Sequence, residues 1–336
     1  MGLPTVGYAE SSGELRALYD RMLARPLPPA YRTPHGGVAG IVQAHSIDPE
    51  LLARVFAVSP TLLSDGPLTW TERELVSSST SRINQCFYCT ACHTEFLRLS
   101  LDGESELPLS LVAHPRSLRT ASPRLKIIAE IAIAMAEAPW TLNAHHRDRA
   151  HVAGLDDDAL VQLIMICAFM CHQNRIADAV GIGLDYDVQI KPPHADVSTP
   201  SFAAAPAPVT NRAVLELSRR PAAAAAFATW RSYVTDRDAP LTRRQRTVIA
   251  RWVALWLGDG SISSPADLTV NPIDDALREL AEVVTLAPWK LSDASFARLR
   301  SNGMDDLAIF DACNTASTAG VISRMAVAVT ALGRPK

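Results

Sequence analysis

CFYCTACH, at residues 86–93, holds most of the chemical information in this chain. Cys86, Cys89 and His93 are spaced i, i+3 and i+7, so they lie on one face if the segment is helical. Glu74 precedes Cys86 by twelve residues in the segment LTWTERELV (68–76), where a Thr followed three residues later by a Glu predicts a capped helix start. Two thiols, an imidazole and a carboxylate on neighbouring helices indicate redox or proton-transfer chemistry.

The pattern Glu-x11-Cys-x2-Cys-x3-His, framed by LTWTERELV and INQCFYCTACH, resembles the alkylhydroperoxidase D-like and carboxymuconolactone decarboxylase superfamily, in particular its peroxidase-related branch. The resemblance implies an all-α fold without a metal or an organic cofactor. It also implies that Cys89 attacks a peroxide and that Cys86 resolves the sulfenate as a disulfide. Glu74 and His93 would relay protons, and a dithiol reductant would reset the disulfide.

The resemblance runs from Gly36 to Asp187 and departs from the family at one position. Peroxidases of this type often carry a His just before the second cysteine, where this chain has Tyr88, so a weaker relay or a different substrate is expected. Tyr88 is a candidate substrate-binding residue, with core packing as the alternative. His45 begins HSIDP, which resembles an HS-x-DP segment of the same branch. It is a second candidate substrate-binding residue, and a loop contact by its neighbours is the alternative.

The cysteine cluster also allows other interpretations. Residues 89–93 match the C-x-x-C-H pattern of c-type haem attachment, and Cys86, Cys89, Cys92 and His93 are all competent zinc ligands. Four ligands within eight residues of one helix cannot close a tetrahedron, so we predict no metal and treat Cys92 as a core residue. If the helix begins at Cys86, the free backbone N–H groups there are expected to lower the pKa of its thiol.

Composition excludes several classes of function. The chain has 336 residues, 48% hydrophobic and 20% charged, and a net charge of −3, so it lacks the positive field that nucleic acids require. Neither an export signal nor a membrane-spanning apolar run is visible, which predicts a cytoplasmic protein with no membrane contact. Its six cysteines are then more typical of thiols or a catalytic pair than of a disulfide framework.

The sequence repeats itself. EAPWTL at residues 137–142 returns as LAPWKL at 286–291, and GLDD at 154–157 returns as GMDD at 303–306, both with an offset of 149 residues. Arg175 and Arg324 fall on the same register. An offset shared by three anchors predicts duplication of a helical unit. Leu68-Thr69 corresponds instead to Leu241-Thr242, so the first copy has about 24 extra residues, which we assign to residues 101–122.

These patterns predict two tandem alkylhydroperoxidase D-like helical bundles. The first covers residues 1–195, a Pro/Ala-rich linker covers 196–210, and the second covers 211–336. Counting along the second copy replaces all four candidate catalytic residues, with Thr247, Asp259, Ile262 and Ala266 at the corresponding positions. We therefore expect the second copy to supply packing surfaces, and the whole chain to form a homo-oligomer, a trimer ahead of a dimer.

The leading functional prediction is a thiol-dependent, peroxidase-like oxidoreductase that acts on a hydroperoxide or another small oxidised molecule. The alternative is a cofactor-free lyase or isomerase of the carboxymuconolactone decarboxylase type, in which Glu74 and His93 move protons on a carbon acid. A third possibility is a binding or scaffold protein whose cysteines are incidental. The retained pair Cys86 and Cys89 favours the first interpretation over the other two.

Overall fold

The computed structural model describes residues 2–26, 28–210, 213–267 and 271–333. Within these ranges the chain forms fourteen α-helices and no β-strand, apart from a single bridge between Val209 and Asp259. The prediction of an all-α fold is confirmed. The helices of the first half are α1 Gly13–Leu23, α2 Gly40–Gln43, α3 Pro49–Leu63, α4 Trp70–Ile83, α5 Phe87–Leu99, α6 Glu106–Ala113, α7 Pro123–Glu137, α8 Ala144–Val152 and α9 Asp157–Val180. Those of the second half are α10 Pro221–Asp236, α11 Arg243–Leu257, α12 Pro272–Leu286, α13 Asp293–Ser301 and α14 Asp306–Ala331.

Local sequence explains where the main helices begin. Thr69 caps α4 and forms a reciprocal capping box with Glu72, as the sequence predicted. Thr242 caps α11 in the same way. Asp156 and Asp305 cap the two longest helices, α9 and α14, by accepting a backbone N–H three residues on. Equivalent residues therefore start equivalent helices in the two halves.

Helix boundaries follow the 149-residue register. α7, α8 and α9 recur as α12, α13 and α14, and each later helix begins 149 residues after its counterpart. Short 3-10 turns at Pro139–Thr141 and Pro288–Lys290 occupy the same place in both series. Prolines end the preceding helices here because a proline cannot donate the next helical hydrogen bond. The division of the chain at residues 195 and 211 stays a prediction.

The extra residues of the first half are not where the sequence count put them. Residues 258–271 connect α11 to α12, whereas residues 84–122 make the corresponding connection and contain both α5 and α6. The described part of the shorter connection holds only the 3-10 turn Pro265–Asp267. The assignment of the insertion to 101–122 alone is therefore wrong, because the second half lacks a counterpart of α5 itself.

The two halves share one interior. α9 and α14 pack against each other along the middle of the molecule, and a continuous hydrophobic core includes residues from both halves. By length and composition α9 could span a membrane, but its apolar window is entirely buried in the protein. It is therefore the central core helix of the first half.

The segment predicted as a linker lies along the second half. Phe202 N–H donates to the carbonyl of Leu286, and Ala205 N–H donates to that of Trp256, both at 2.8 Å. The Phe202 ring packs edge-on against Trp289, 5.0 Å between centroids. These contacts fix the segment against the helices that it connects to α9.

Candidate functional site

The site forms where α4 turns back into α5. Gln85 takes a left-handed conformation in this turn, with φ of 56°, which is uncommon for a residue with a side chain. Cys86 follows as the N-cap of α5, and its carbonyl accepts the N–H of Thr90 at 3.0 Å. Cys89 and His93 lie one and two turns further along the same helix. The tight turn therefore places α4, with Glu74, beside the thiol-bearing face of α5.

Glu74 and His93 form a direct hydrogen bond. His93 Nδ1 lies 2.8 Å from Oε2 of Glu74, whose carboxylate is fully buried. The side chain of His93 is 15% exposed. Since a carboxylate can only accept, the Nδ1 atom of the imidazole carries the proton in this bond. When the ring is neutral, Nε2 is its proton acceptor.

Tyr31 completes this group, and the sequence analysis missed it. Its hydroxyl donates to Oε1 of Glu74 and accepts the indole N–H of Trp70 at 2.8 Å. Burial, followed by the charge of Glu74, raises the pKa of Tyr31 well above its ordinary value, so it stays a donor. Tyr31 lies in a proline-rich stretch forty-three residues before Glu74, and no spacing rule connects the two.

Phe96 holds the rings of this group in place. It packs edge-on against Tyr31, His93 and Tyr186, with centroid distances of 4.8, 5.6 and 5.3 Å. Tyr186 in turn donates its hydroxyl to the carbonyl of Tyr31 at 2.9 Å. This packing restricts rotation of the Tyr31 and His93 side chains, and a proton relay requires that its side chains stay aligned.

Cys86 and Cys89 are adjacent, reduced and buried, with 0% and 2% exposure. Burial raises the pKa of Cys86 well above its ordinary value, and a hydrogen bond to Cys89 adds to the shift. The expected lowering by the helix N-terminus is therefore not observed. The loss of solvent around the thiolate outweighs the partial positive charge of the helix end.

Tyr88 and Cys92 face another neighbour, Asp185. Burial raises the pKa of both groups well above their ordinary values, with Asp185 among the further causes. The Tyr88 hydroxyl is buried without a hydrogen-bond partner among the described residues. A side chain at Gly40 would meet both Tyr88 and Asp185, so glycine permits this close approach. Tyr88 is thus a residue of the cysteine helix whose hydroxyl group is not used in a hydrogen bond with the described residues.

The structure separates His45 from the thiol site. His45 Nε2 lies 3.1 Å from Nε2 of His172, and His172 Nδ1 lies 2.8 Å from the hydroxyl of Ser317 on α14. The other ring nitrogen of His45 donates to the carbonyl of Ile41 at 2.9 Å. Because His45 follows α2, its ring points toward α9 and α14, where the two halves meet. Its hydrogen-bond partners among the described residues do not include Glu74, His93 or a cysteine.

A cleft of about 500 Å³ opens beside the start of α5. Gln85 and Arg82 line one wall, and His194 and Phe202 from the linker region line another. His194 stacks on Phe87 with 4.2 Å between ring centroids. We call residues 193–203 the strap, because they run across the end of the helix that begins at Cys86. No group of three or more potential metal ligands is found among the described residues.

One family's sequence model matches the helices that carry the site. The sequence model of the carboxymuconolactone decarboxylase family matches residues 49–114, which contain Glu74, both candidate cysteines and His93. The predicted superfamily is therefore confirmed for the helices that carry the site. Tyr31, Tyr186 and the whole second half lie outside the matched residues.

Individual relatives of the family were also found. Mouse Sestrin-2 is 27% identical over 192 residues, which is 55% of this chain and 38% of that protein. The chain thus matches well under half of this curated relative. Among solved structures, an alkylhydroperoxidase AhpD core, an uncharacterized peroxidase-related protein from Ralstonia eutropha, has 22% identity and a TM-score of 0.46 over 54% of this chain and 90% of its own. An uncharacterized peroxidase-related protein from Silicibacter has 25% identity and a TM-score of 0.42 over 48% and 87%.

Proposed function

We propose that this chain is a thiol-dependent oxidoreductase that reduces a hydroperoxide, with Cys89 as the attacking thiol and Cys86 as the resolving thiol. The observation that carries the proposal is the buried Glu74–His93 hydrogen bond, one helical turn beyond Cys89 and beside a reduced cysteine pair. A packing role for four such residues would not require an imidazole with one nitrogen fixed by a carboxylate and the other free to accept a proton.

In the first step, Nε2 of His93 takes the proton of the Cys89 thiol. The thiolate attacks the terminal oxygen of the hydroperoxide, so that an S–O bond forms and the O–O bond breaks. The protonated His93 then gives its proton to the departing alkoxide, which leaves as an alcohol. Glu74 stabilises the imidazolium during this step, because its carboxylate faces Nδ1 directly.

In the second step, Cys86 attacks the sulfur of the Cys89 sulfenic acid. The S–S bond forms, and the hydroxyl group leaves with a proton as water. A dithiol reductant then reduces the disulfide by two successive exchanges and regenerates both thiols. The Cys86 proton that must be lost here is held firmly, since burial raises the pKa of this thiol.

Access to the pair requires movement of the protein around it, because both cysteines are buried. The strap lies against the start of α5, where His194 stacks on Phe87 and Asp196 N–H donates to the Gln85 side chain at 3.2 Å. We place the enzyme in the cytoplasm, where dithiol reductants are available, and expect a homo-oligomer, a trimer ahead of a dimer. Its substrate is a small molecule, and neither nucleic acid nor membrane takes part.

The Glu74–His93–Tyr31 group also supports a second candidate, because it could move protons without any thiol. A cofactor-free lyase or isomerase of the carboxymuconolactone decarboxylase type would use His93 as the base on a carbon acid. In that reaction the two cysteines would be dispensable.

Substitution of single cysteines distinguishes the two candidates. Cys89→Ala should abolish peroxide consumption in the presence of a dithiol, whereas Cys313→Ala in the second half should leave the rate unchanged. Cys313 is a suitable control because it is equally buried and reduced. Equal loss of activity in both variants, or full activity of Cys89→Ala, contradicts the proposal.

A further inference from the structure

Cys86 needs a base of its own. The proposed relay ends at His93, one turn beyond Cys89, whereas Cys86 lies at the opposite end of the site as the N-cap of α5. Burial leaves Cys86 in its thiol form. A thiol attacks sulfur only after it loses its proton, so the group beside Cys86 decides how fast a disulfide can close.

Asp178 is that group. It lies one turn after Asn174 on α9, and the Asn174 side-chain carbonyl accepts the amide N–H of Asn84 at 2.8 Å. This contact brings the Asn174–Asp178 face of α9 against the turn that leads into Cys86. Cys86 and Asp178 lie close enough that each affects the pKa of the other.

The second oxygen of this carboxylate is unused. Oδ2 of Asp178 is buried and has no hydrogen-bond partner among the described residues. Asp311, by contrast, is a buried carboxylate that is paired with Arg237 and Arg246. A buried carboxylate oxygen that has no partner is available to receive a proton during a reaction.

Charges around Asp178 suit this role. Burial raises its pKa to about 7, and the hydrogen bond from Cys86 and the charge of Arg175 limit the rise. Arg175 is on the same helix, Cys86 is the titratable group that faces Asp178 from α5, and Arg324 on α14 acts on Arg175 from the other side. A base that titrates near neutral pH is efficient under physiological conditions.

We propose that Asp178 is the general base that removes the proton of Cys86 when this thiol closes the disulfide with Cys89. The proposal rests on the function proposed above for the cysteine pair. As Cys86 sulfur attacks the sulfenic sulfur of Cys89, its proton moves to the Asp178 carboxylate. The hydroxyl group departs from Cys89 with a proton from solvent or His93, and Asp178 later returns its own proton to solvent. The electrons balance, because the hydroperoxide has already removed two electrons from Cys89.

The test uses an arylthiol disulfide reagent, so it does not depend on peroxide. Ellman's reagent attaches a thionitrobenzoate group to Cys89 and releases one coloured thiolate; attack by Cys86 then releases a second. In Asp178→Asn the first phase should be unchanged, and the second should slow by about 100-fold, the usual contribution of a general base. The rate of the second phase in the wild type should rise as pH increases through about 7, and Asp178→Asn should lose this rise.

Two further variants make the outcome decisive. Asp178→Glu keeps the carboxylate and should restore part of the second phase, whereas a purely structural role would not be rescued in a pH-dependent way. Asp185→Asn removes another partly buried acid beside α5 and should leave the second phase within about twofold. A second phase that is equally fast in the wild type and Asp178→Asn, with the same pH profile, overturns the proposal.

Peroxide reactivity is measured separately, by trapping the sulfenic acid of Cys89 with dimedone. If the wild type forms no adduct but the second phase depends on Asp178, then the proposed peroxidase function fails and the role of Asp178 stands. If the adduct forms normally and the second phase does not depend on Asp178, the reverse holds. An adduct on Cys86 instead of Cys89 contradicts both, because Cys86 would then be the attacking thiol.

Discussion

Arg175 on α9 and Arg324 on α14 occupy equivalent positions, 149 residues apart, and both reach across the contact between the two halves. Arg175 donates to the carbonyl of Thr285 at 3.0 Å, and Arg324 donates to that of Ala136 at 3.4 Å. Ala136 and Thr285 are themselves equivalent, in the last turns of α7 and α12. Each buried guanidinium thus lies at the negative end of a helix dipole from the other half.

Among the described residues, neither arginine forms an ion pair with a carboxylate, and their charges act on a nearby cysteine. Although burial opposes it, the hydrogen bond from Cys167 and the charges of Arg324 and Arg175 lower the pKa of Cys171 well below its ordinary value. The Asn84 amide also donates to Cys171, at 3.6 Å. The contact between the halves therefore contains a compact charge cluster, and we expect it to be sensitive to substitution.

Arg324→Ala should destabilise the protein by about 3 kcal/mol, because it opens a cavity and removes the guanidinium donor from the carbonyl of Ala136. Urea unfolding measures the change. Arg298→Ala is the control, since Arg298 is 43% exposed and its ion pairs with Asp275 and Glu279 are on the surface. Such pairs contribute at most about 1 kcal/mol. Equal effects of the two substitutions would show that the buried cluster does not hold the halves together.

Tyr31→Phe should slow the reaction of Cys89 with hydroperoxide about tenfold, the equivalent of one hydrogen bond worth about 1.4 kcal/mol. The substitution removes the donor to Glu74 and leaves the indole N–H of Trp70 without its acceptor. The rate of sulfenic acid formation measures this effect. Tyr233→Phe, which removes a hydroxyl bound to Asp48 far from the thiols along the chain, should leave that rate unchanged. An unaltered rate in Tyr31→Phe would remove Tyr31 from the relay.

Much of this site was predictable from local spacing. The capping box at Thr69 and Glu72 fixes the start of α4, and the i, i+3, i+7 pattern fixes the face of α5. The 149-residue register of α7–α9 and α12–α14 could be predicted from short repeated sequence segments, because capping residues and prolines mark helix ends directly. These features depend on residues close to each other in sequence.

What the sequence could not provide depends on tertiary contacts. Tyr31 reaches Glu74 only after the chain folds back, and the pKa of Cys86 depends on its burial in the folded protein. The described part of the second half has no counterpart of α5. Counting residues could not show this, because a difference in length does not identify the missing element. His45 lies in a segment that resembles the family's HS-x-DP sequence. Its side chain nevertheless contacts α9, one of the two helices through which the halves meet.

The buried imidazoles predict acid sensitivity. Burial lowers the pKa of His45 to about 4 from an ordinary value of 6.5, and burial also lowers that of His172. Between these pH values the unfolded chain binds more protons than the folded one, so stability is full above pH 6.5 and falls as pH decreases toward 4. His45 alone accounts for about 3 kcal/mol over this range.

His45→Gln tests this origin. The variant should lose less free energy of unfolding between pH 7 and pH 5 than the wild type, even though it is less stable at pH 7. His145→Gln, which changes an exposed histidine, should keep the wild-type difference. Identical pH dependence of the wild type and His45→Gln would assign the acid sensitivity to other groups.

The strap should control access to Cys86. His194→Ala removes the ring that stacks on Phe87 and should increase the rate at which a thiol reagent modifies the native protein, by about tenfold if the stack contributes about 1.4 kcal/mol. Val197→Ala is the control, because Val197 lies in the same segment and is 68% exposed. If both variants react at the wild-type rate, the thiol reagent reaches Cys86 by another route.

The most direct measurement of the central claim is to identify the disulfide that forms after one equivalent of hydroperoxide. Peptide mapping by mass spectrometry should find Cys86 joined to Cys89, with Cys92 still reduced, because Cys86 and Cys89 are adjacent at the start of α5 whereas Cys92 faces Tyr88 and Asp185. Six free thiols after peroxide treatment, or a dominant disulfide that includes Cys92, would contradict the account.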